Sequence, residues 1–234
     1  MATLVFDIET VAKPWELFSE TVHHALLRNA HTDEDRMRVK ERLPLSPFTG
    51  EIVALSMYDV ERKKGIVYAV DIEDGYEYGD FTWHRRTEKE MLEDFWEGAT
   101  HYDTFVTYNG RMFDVPYLSL RSAMCGVRPR IEITKKRFLS QQTGVFHVDL
   151  LDQCTWYGAL SRWPSLRLAC DAFGVGYDNE QVSGEDIAEL FRMKKFRDIA
   201  HHAMSDTIAT YKLYERWYTY LAPTMFIQRY EHMP

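Results

Sequence analysis

Cysteine is scarce in this sequence. Cys125, Cys154 and Cys170 are the only three among 234 residues. They are odd in number and lack metal-type spacing, so they form neither a disulfide framework nor a zinc site, and a reducing, cytoplasmic compartment fits them best. Long apolar runs are absent too: none approaches the roughly 18 residues that a membrane span needs. The first residues carry no basic region followed by an apolar core, so no secretory signal and no membrane association are expected. Basic charge is in deficit. With 28 Lys and Arg against 36 Asp and Glu the net charge is -8, which argues against a broad, non-specific grip on nucleic acid. A local basic groove remains open, and a carboxylate cluster built for metal ions would add negative charge of its own. The sequence holds no internal repeat and no low-complexity segment.

What is present is 45% hydrophobic residues over 234 positions, enough for one sizeable α/β domain. Thr3 to Ile8 is short and rich in β-branched and aromatic residues, which predicts a strand. A long excursion follows, holding Pro14-Trp15 and a charged helical stretch from His31 to Arg42 that Pro44 and Pro47 end. We read 1–234 as a single domain with a helical insertion at about 11–47. The adjacent His23 and His24 cannot share a helix face and are not expected to form a metal pair. Glu51 to Asp59 and Gly65 to Val70 read as strands of an antiparallel meander. Glu88 to Trp96 has helical spacing at Met91, Leu92, Phe95 and Trp96. Thr104 to Tyr108 is a fourth strand, Asp114 to Cys125 a helix, and Phe146 to Leu150 a fifth strand. Helices are expected at Ser165 to Phe173, Gly184 to Met193 and about Ala203 to Leu221. This order implies a mixed five-stranded sheet with helices on its faces.

Three segments carry chemistry. In Val5-Phe6-Asp7-Ile8-Glu9-Thr10 the two carboxylates project to one side of the strand and Phe6 and Ile8 to the other. Paired like charges on a mostly buried strand repel and lose solvation. A bound hard cation such as Mg²⁺ relieves both, although a D-x-E alone is more often a strand running into a polar loop. In Asn109-Gly110-Arg111-Met112-Phe113-Asp114 a strand ends, a tight turn follows and an aspartate opens a helix with Pro116 in its first turn. Asp114 is either an ordinary N-cap or an acid delivered to the edge of the sheet. In His201-His202-Ala203-Met204-Ser205-Asp206, the aspartate lies on a stretch whose apolar positions should pack on the sheet, where it is costly unless paired or metal-bound.

Taken in order, these segments resemble the three motifs of the DEDD superfamily of 3′–5′ exonucleases on an RNase H-like fold. The closest likeness is to stand-alone proteins similar to the proofreading domain of B-family DNA polymerases. Phe48 to Ala54, His147-Val148-Asp149-Leu150 and Ser165 to Val175 fit the same pattern. The resemblance implies hydrolysis of terminal phosphodiester bonds at single-stranded DNA or RNA 3′ ends, with two divalent ions, Mg²⁺ or Mn²⁺, as cofactors. Asp7 would bridge both ions, Glu9 and Asp206 would complete one shell, and Asp114 would hold the second ion. An RNase H-like endonuclease and an inactive nucleic-acid-binding module are the rival expectations. A domain that works only beside a separate polymerase or DNA repair partner is a third expectation.

The motif departs from pattern at the residue that orients the attacking water. One branch of the superfamily has tyrosine four residues before the last aspartate, where this chain has His202. The other has histidine five before it, where this chain has His201. Histidine suits a general base, with an unperturbed pKa of about 6.5. We place His201 ahead, on the expectation that it lies before or at the start of the helix. Thr10, Asn109 and Phe113 are candidate contacts to the substrate end, against turn and core roles. His147 and Asp149 share a strand face and rank below the four acids. Lys135-Lys136-Arg137, with Arg128 and Arg130 nearby, is the densest basic patch. Trp156, Tyr157 and Trp163 are rings on which bases can stack, though core packing accounts for most aromatic residues.

Overall fold

The first strand, β1, runs from Thr3 to Ala12, and its alternation sets the layers of the molecule. Leu4, Phe6 and Ile8 enter one apolar core, while Val5 and Val11 enter another on the opposite face. Asp7 and Glu9 fall between Val5 and Val11 on that second face, as period-two geometry requires. The computed structural model describes residues 2–160, 162–177 and 184–231.

Among the described residues seven strands form one sheet: β1, β2 (Gly50–Asp59), β3 (Lys64–Ala69), β4 (Tyr76–Tyr78), β5 (Phe81–Arg85), β6 (Thr104–Thr107) and β7 (Phe146–Asp149). Their spatial order is β4-β5-β3-β2-β1-β6-β7. The meander of β1, β2 and β3 is antiparallel, whereas β6 runs parallel to β1 and β7 parallel to β6. The expected count of five strands is therefore corrected to seven. The two additional strands lie at one edge, β5 parallel to β3 and β4 antiparallel to β5. Phe81 and Trp83 are buried with exposed or half-buried residues beside them, a period-two pattern too short to stand out among the polar residues around it. Strands β6 and β7 end together at the paired Thr107 and Asp149, while β1 runs on to Ala12, so the turns after β6 and β7 share one rim of the sheet. The register between β1 and β2 shifts between Glu9 and Thr10, a bulge that re-aims side chains where the acids sit.

The excursion between β1 and β2 holds α1 (Glu20–Leu27) and α2 (Asp33–Glu41). There His23 stacks on Trp15 at 4.3 Å with its Nε2 on Trp15 O at 2.9 Å, which accounts for it without a metal. Helices cover both faces of the sheet. On one, α3 (Glu88–Ala99) and α4 (Asp114–Met124) close the core of Leu4, Phe6 and Ile8. Phe6 meets Phe95 edge-on at 5.2 Å, and Trp96 donates its indole N–H to Ser122 Oγ at 2.7 Å. Thr87 and Glu90 form a capping box that starts α3. On the other face, α5 (Leu150–Cys154), α6 (Leu166–Ala172), α7 (Ile187–Arg192), α8 (Phe196–Tyr220) and α9 (Thr224–Glu231) follow in order.

The long helix α8 spans 25 residues and begins at Phe196, well before the start near Ala203 that its apolar spacing suggests. Ile199 and Ala200 are fully buried and extend its packed face back beyond both histidines. Among the described residues no helix is long and apolar enough to cross a membrane.

Candidate active site

Four carboxylates meet where β1, the start of α4 and the middle of α8 converge. Asp114 is not an N-cap. Phe113 holds the cap position without a side-chain bond, and the Asp114 carboxylate instead reaches across to β1, where Oδ1 accepts the Ile8 backbone N–H at 3.1 Å. Glu9 and Asp114 are buried, and Asp7 and Asp206 are half-buried. Burial pushes the Asp7 carboxyl well up, and the charges of Asp114, Glu9 and Asp206 push it further. Glu9 is raised by burial and then by Asp206 and Asp114. Asp114 is pushed up to about 7, mainly by burial, although its own amide and that of Ile8 pull the other way. Asp206 is raised by burial against the opposing pull of His202, Tyr177 and Arg167. A buried set of like charges with each member opposing ionisation of the others is an unstable arrangement unless a cation neutralises it.

The histidines separate cleanly. His202 is 3% exposed. Its Nε2 stands 3.7 Å from Glu9 Oε1 and its Nδ1 3.4 Å from Asp206 Oδ1. Donor atoms of Glu9, His202 and Asp206 all lie within 4.8 Å of one another. Burial lowers the His202 pKa, which favours the neutral ring. His201 is rotated away. Its ring meets Tyr78 edge-on at 5.5 Å, and its Nδ1 faces Ser205 Oγ at 3.4 Å. The preference for His201 supposes that it precedes the helix, and that premise fails. Both residues lie inside α8, so helical spacing holds and position i−4 is the one that shares a face with Asp206.

The remaining candidates take other places. Thr10 donates its hydroxyl to Pro44 O at 2.9 Å, as Tyr117 does at 3.0 Å, so Thr10 anchors the end of the excursion. Phe113 packs on Tyr117 with centroids 5.3 Å apart. Asn109 adopts φ 65°, a left-handed turn conformation that asparagine tolerates. Its Oδ1 is buried with no partner among the described residues. Asp149 builds the turn: its carboxylate accepts the amides of Asn109 at 3.0 Å and Arg111 at 2.9 Å, and it also caps α5 through Leu151 at 3.0 Å. His147 pairs with Thr107 Oγ1 at 2.8 Å, and burial lowers its pKa to about 3. Both residues support the turn that presents Asp114, outside the acid cluster itself.

Two residues at the site escape sequence reasoning. Tyr177, on the chain after α6, donates its hydroxyl to Asp206 Oδ1 at 2.7 Å. The Arg167 guanidinium lies over the Tyr177 ring at 4.9 Å, and its charge lowers the pKa of both Asp206 and His202. Nothing in the local pattern distinguishes this tyrosine from others in the chain. Only the fold brings it to the cluster.

Residues 51–233 match the family described as predicted 3′-5′ exonuclease related to the exonuclease domain of PolB. That match begins beyond β1. A DNA polymerase of Desulfurococcus sp. (strain Tok) is 32% identical over 143 residues, covering 54% of this chain and 18% of the polymerase. A DNA polymerase of Thermococcus gorgonarius is 27% identical over 226 residues, covering 90% and 24%. A DNA polymerase of Thermococcus litoralis is 27% identical over 179 residues, covering 70% and 10%. Among solved structures, the family B DNA polymerase of Pyrobaculum calidifontis superposes with a TM-score of 0.61 at 19% identity, over 93% of this chain and 24% of that one. The chain thus spans a quarter or less of the length of these proteins.

Proposed function

This chain belongs to the family of predicted 3′-5′ exonucleases related to the exonuclease domain of PolB, and from that membership we propose that it removes nucleotides one at a time from single-stranded 3′ ends. DNA is the favoured substrate, because the relatives are DNA polymerases. The whole chain acts as one domain, with the excursion between β1 and β2 as its insertion.

The observation that carries the proposal is the convergence of Asp7, Glu9, Asp114 and Asp206 from three distant segments, where they oppose one another's ionisation. The residues fit hard divalent ions, Mg²⁺ or Mn²⁺: the donors are carboxylate oxygens, and cations relieve their mutual repulsion. Asp7, Glu9 and Asp206 would hold one ion, and Asp7 with Asp114 a second. Such ions supply activation of the attacking water and neutralisation of the leaving oxygen.

The chain's own groups do the rest. His202 stands with Nδ1 3.4 Å from Asp206 Oδ1 and Nε2 3.7 Å from Glu9 Oε1, and its imidazole takes the proton from the attacking water. The depressed pKa of this buried ring keeps it neutral, and so able to accept, at working pH. Tyr177 fixes the rotamer of Asp206 through the 2.7 Å hydrogen bond. Ile8 N–H fixes that of Asp114. A second reading has its own support: Glu9, His202 and Asp206 are close enough for His202 to be a ligand itself.

The test is incubation of end-labelled DNA and RNA strands with Mg²⁺ or Mn²⁺, comparing native protein with Asp7→Ala. Stepwise shortening from the 3′ end that disappears in the variant supports the proposal. Cuts within the strand assign an endonuclease instead, and binding without cleavage assigns an inactive module.

A further inference from the structure

The turn after α5 spends backbone freedom to display a tryptophan. Trp156 and Tyr157 both adopt left-handed conformations, with φ 50° and 57°, followed by Gly158 at φ 90°. Two consecutive large side chains with positive φ are rare outside glycine-rich turns, and residues held this way concentrate at functional sites. The two rings have opposite fates. Tyr157 is fastened down: it packs on Phe138 at 4.7 Å, and its hydroxyl accepts from Leu139 N–H at 3.2 Å and from Gln153 at 3.0 Å. Trp156 is left 64% exposed, with Leu160 at 53% and Trp163 at 57% nearby in sequence.

The turn is wired to the loop that delivers Asp114. Arg137 pairs with both carboxylate oxygens of Asp152, at 2.6 and 3.1 Å, and donates to Tyr157 O at 3.2 Å. Arg111, from the Asn109–Asp114 turn, faces the same Asp152 at 3.5 Å and donates to Lys136 O at 3.0 Å. Trp163 is tied in from another side, since its neighbour Pro164 accepts the Tyr108 hydroxyl at 2.7 Å. The turn that displays Trp156 is thereby joined to the cationic run Lys135-Lys136-Arg137 through Arg137 and to the Asn109–Asp114 turn through Asp152. In a protein of net charge -8, a basic run tied to the turn that displays an exposed tryptophan and to the turn that carries Asp114 complements a polyanion that carries flat bases.

The geometry points to Trp156 as a stacking platform for the part of a single strand that lies upstream of the terminal nucleotide. The inference rests on the exonuclease reading above. Exposed tryptophan would hold bases without regard to sequence, and Lys135 and Lys136 would follow the backbone phosphates. The platform sets grip on long strands, leaving the chemistry at the terminus to the acids.

The test measures binding of a fluorescent thymidylate dodecamer and of a fluorescent thymidylate trinucleotide by anisotropy, with Ca²⁺ in place of Mg²⁺. Trp156→Ala is compared with Trp156→Phe and native protein, and thermal melting checks the fold of each. Loss of one base stack is expected to weaken dodecamer binding by about tenfold in Trp156→Ala. Trinucleotide binding should not change, and Trp156→Phe should recover most of the loss. Unchanged dodecamer affinity overturns the platform, as does an equal loss on both lengths. The two readings fail separately. If native protein shortens 3′ ends but Trp156→Ala binds the dodecamer normally, only the platform falls. If the length-dependent loss appears and nothing is shortened, the platform stands and the exonuclease reading falls.

Discussion

The backbone amide of Ile8 donates to Asp114 Oδ1 at 3.1 Å, joining two motifs that lie 106 residues apart. One hydrogen bond thereby fixes the start of α4 against the centre of β1. It sets Asp114 among Asp7, Glu9 and Asp206 before any ligand arrives. Preorganisation of this kind has an electrostatic cost, because Asp114 stays buried beside three other acids.

Removing the charge should lift that cost. Asp114→Asn keeps an oxygen for the Ile8 amide and cannot ionise. Native Asp114 titrates at about 7, against about 3.9 when unfolded. Between those values the folded state holds a proton that the unfolded state has released, so the contribution of this group to stability falls as pH rises. Metal-free Asp114→Asn should therefore melt several degrees above native protein at pH 8, a difference of a few kcal/mol. The gap should narrow as pH falls through that interval and close only below about pH 4. Thermal melting in chelator across that range checks it, and nuclease activity should be lost throughout.

Metal binding should show the same protons in reverse. The carboxyls of Asp7, Glu9, Asp114 and Asp206 all lie above their ordinary range, so cations must displace protons to bind. Affinity for Mn²⁺ should rise as pH climbs through about 7, where Asp114 gives up its proton. Calorimetry in two buffers of different ionisation enthalpy should report proton release that declines as pH rises.

His202→Ala and His201→Ala separate two neighbours that the sequence leaves undecided. His202 faces Glu9 and Asp206, whereas His201 faces Tyr78 and Ser205. The His202 change should lower kcat by a factor of about 10² to 10⁴, the range of general-base catalysis. The His201 change should leave kcat within a few-fold of native. If His202→Ala also weakens Mn²⁺ binding tenfold or more, the imidazole is a ligand; if only kcat moves, it is the base.

Much of this site can be read from the chain because strand alternation and turn chemistry are local. Asp7 and Glu9 share a face by period two, and Asn109-Gly110 marks the turn that carries Asp114. The histidine register cannot be read, because it depends on where α8 begins. That start at Phe196 is set by burial of Ile199 and Ala200 against neighbouring elements, a tertiary effect with no local mark. Strands β4 and β5 escape notice for a related reason, since a three-residue edge strand borrows its order from β5 and β3. Tyr177 and Arg167 lie far from Asp206 in sequence and reach it only through the packing of α6 and the chain after it.

Asp149→Ala tests the scaffold of the turn. Its carboxylate takes the amides of Asn109 and Arg111, and truncation leaves both donors without a partner at about 1–3 kcal/mol each. The melting temperature should fall by several degrees. Activity should drop as well, because the Asn109–Asp114 turn loses its anchor. Mn²⁺ in excess should restore melting only in part, since no ion replaces the lost acceptor.

Tyr177→Phe removes one proton donor and little else. The ring stays, and with it the contact to Arg167 at 4.9 Å, so the fold should hold and melting should fall by only several degrees. Asp206 loses a partner that pulls its pKa down, and its carboxyl should therefore ionise at higher pH. A hydrogen bond to a charged acceptor contributes about 1.5–3 kcal/mol, which moves the acid limb of the pH–rate profile upward by about one to two pH units. On the acid side of its profile the variant should be slower than native protein and bind Mn²⁺ more weakly, and the two should converge on metal affinity as rising pH ionises Asp206 in both. A rate deficit that persists unchanged at pH 8.5 would instead assign the Tyr177 hydroxyl to contact with the attacking water or the substrate end, and an unshifted profile would leave the 2.7 Å bond without influence on the chemistry.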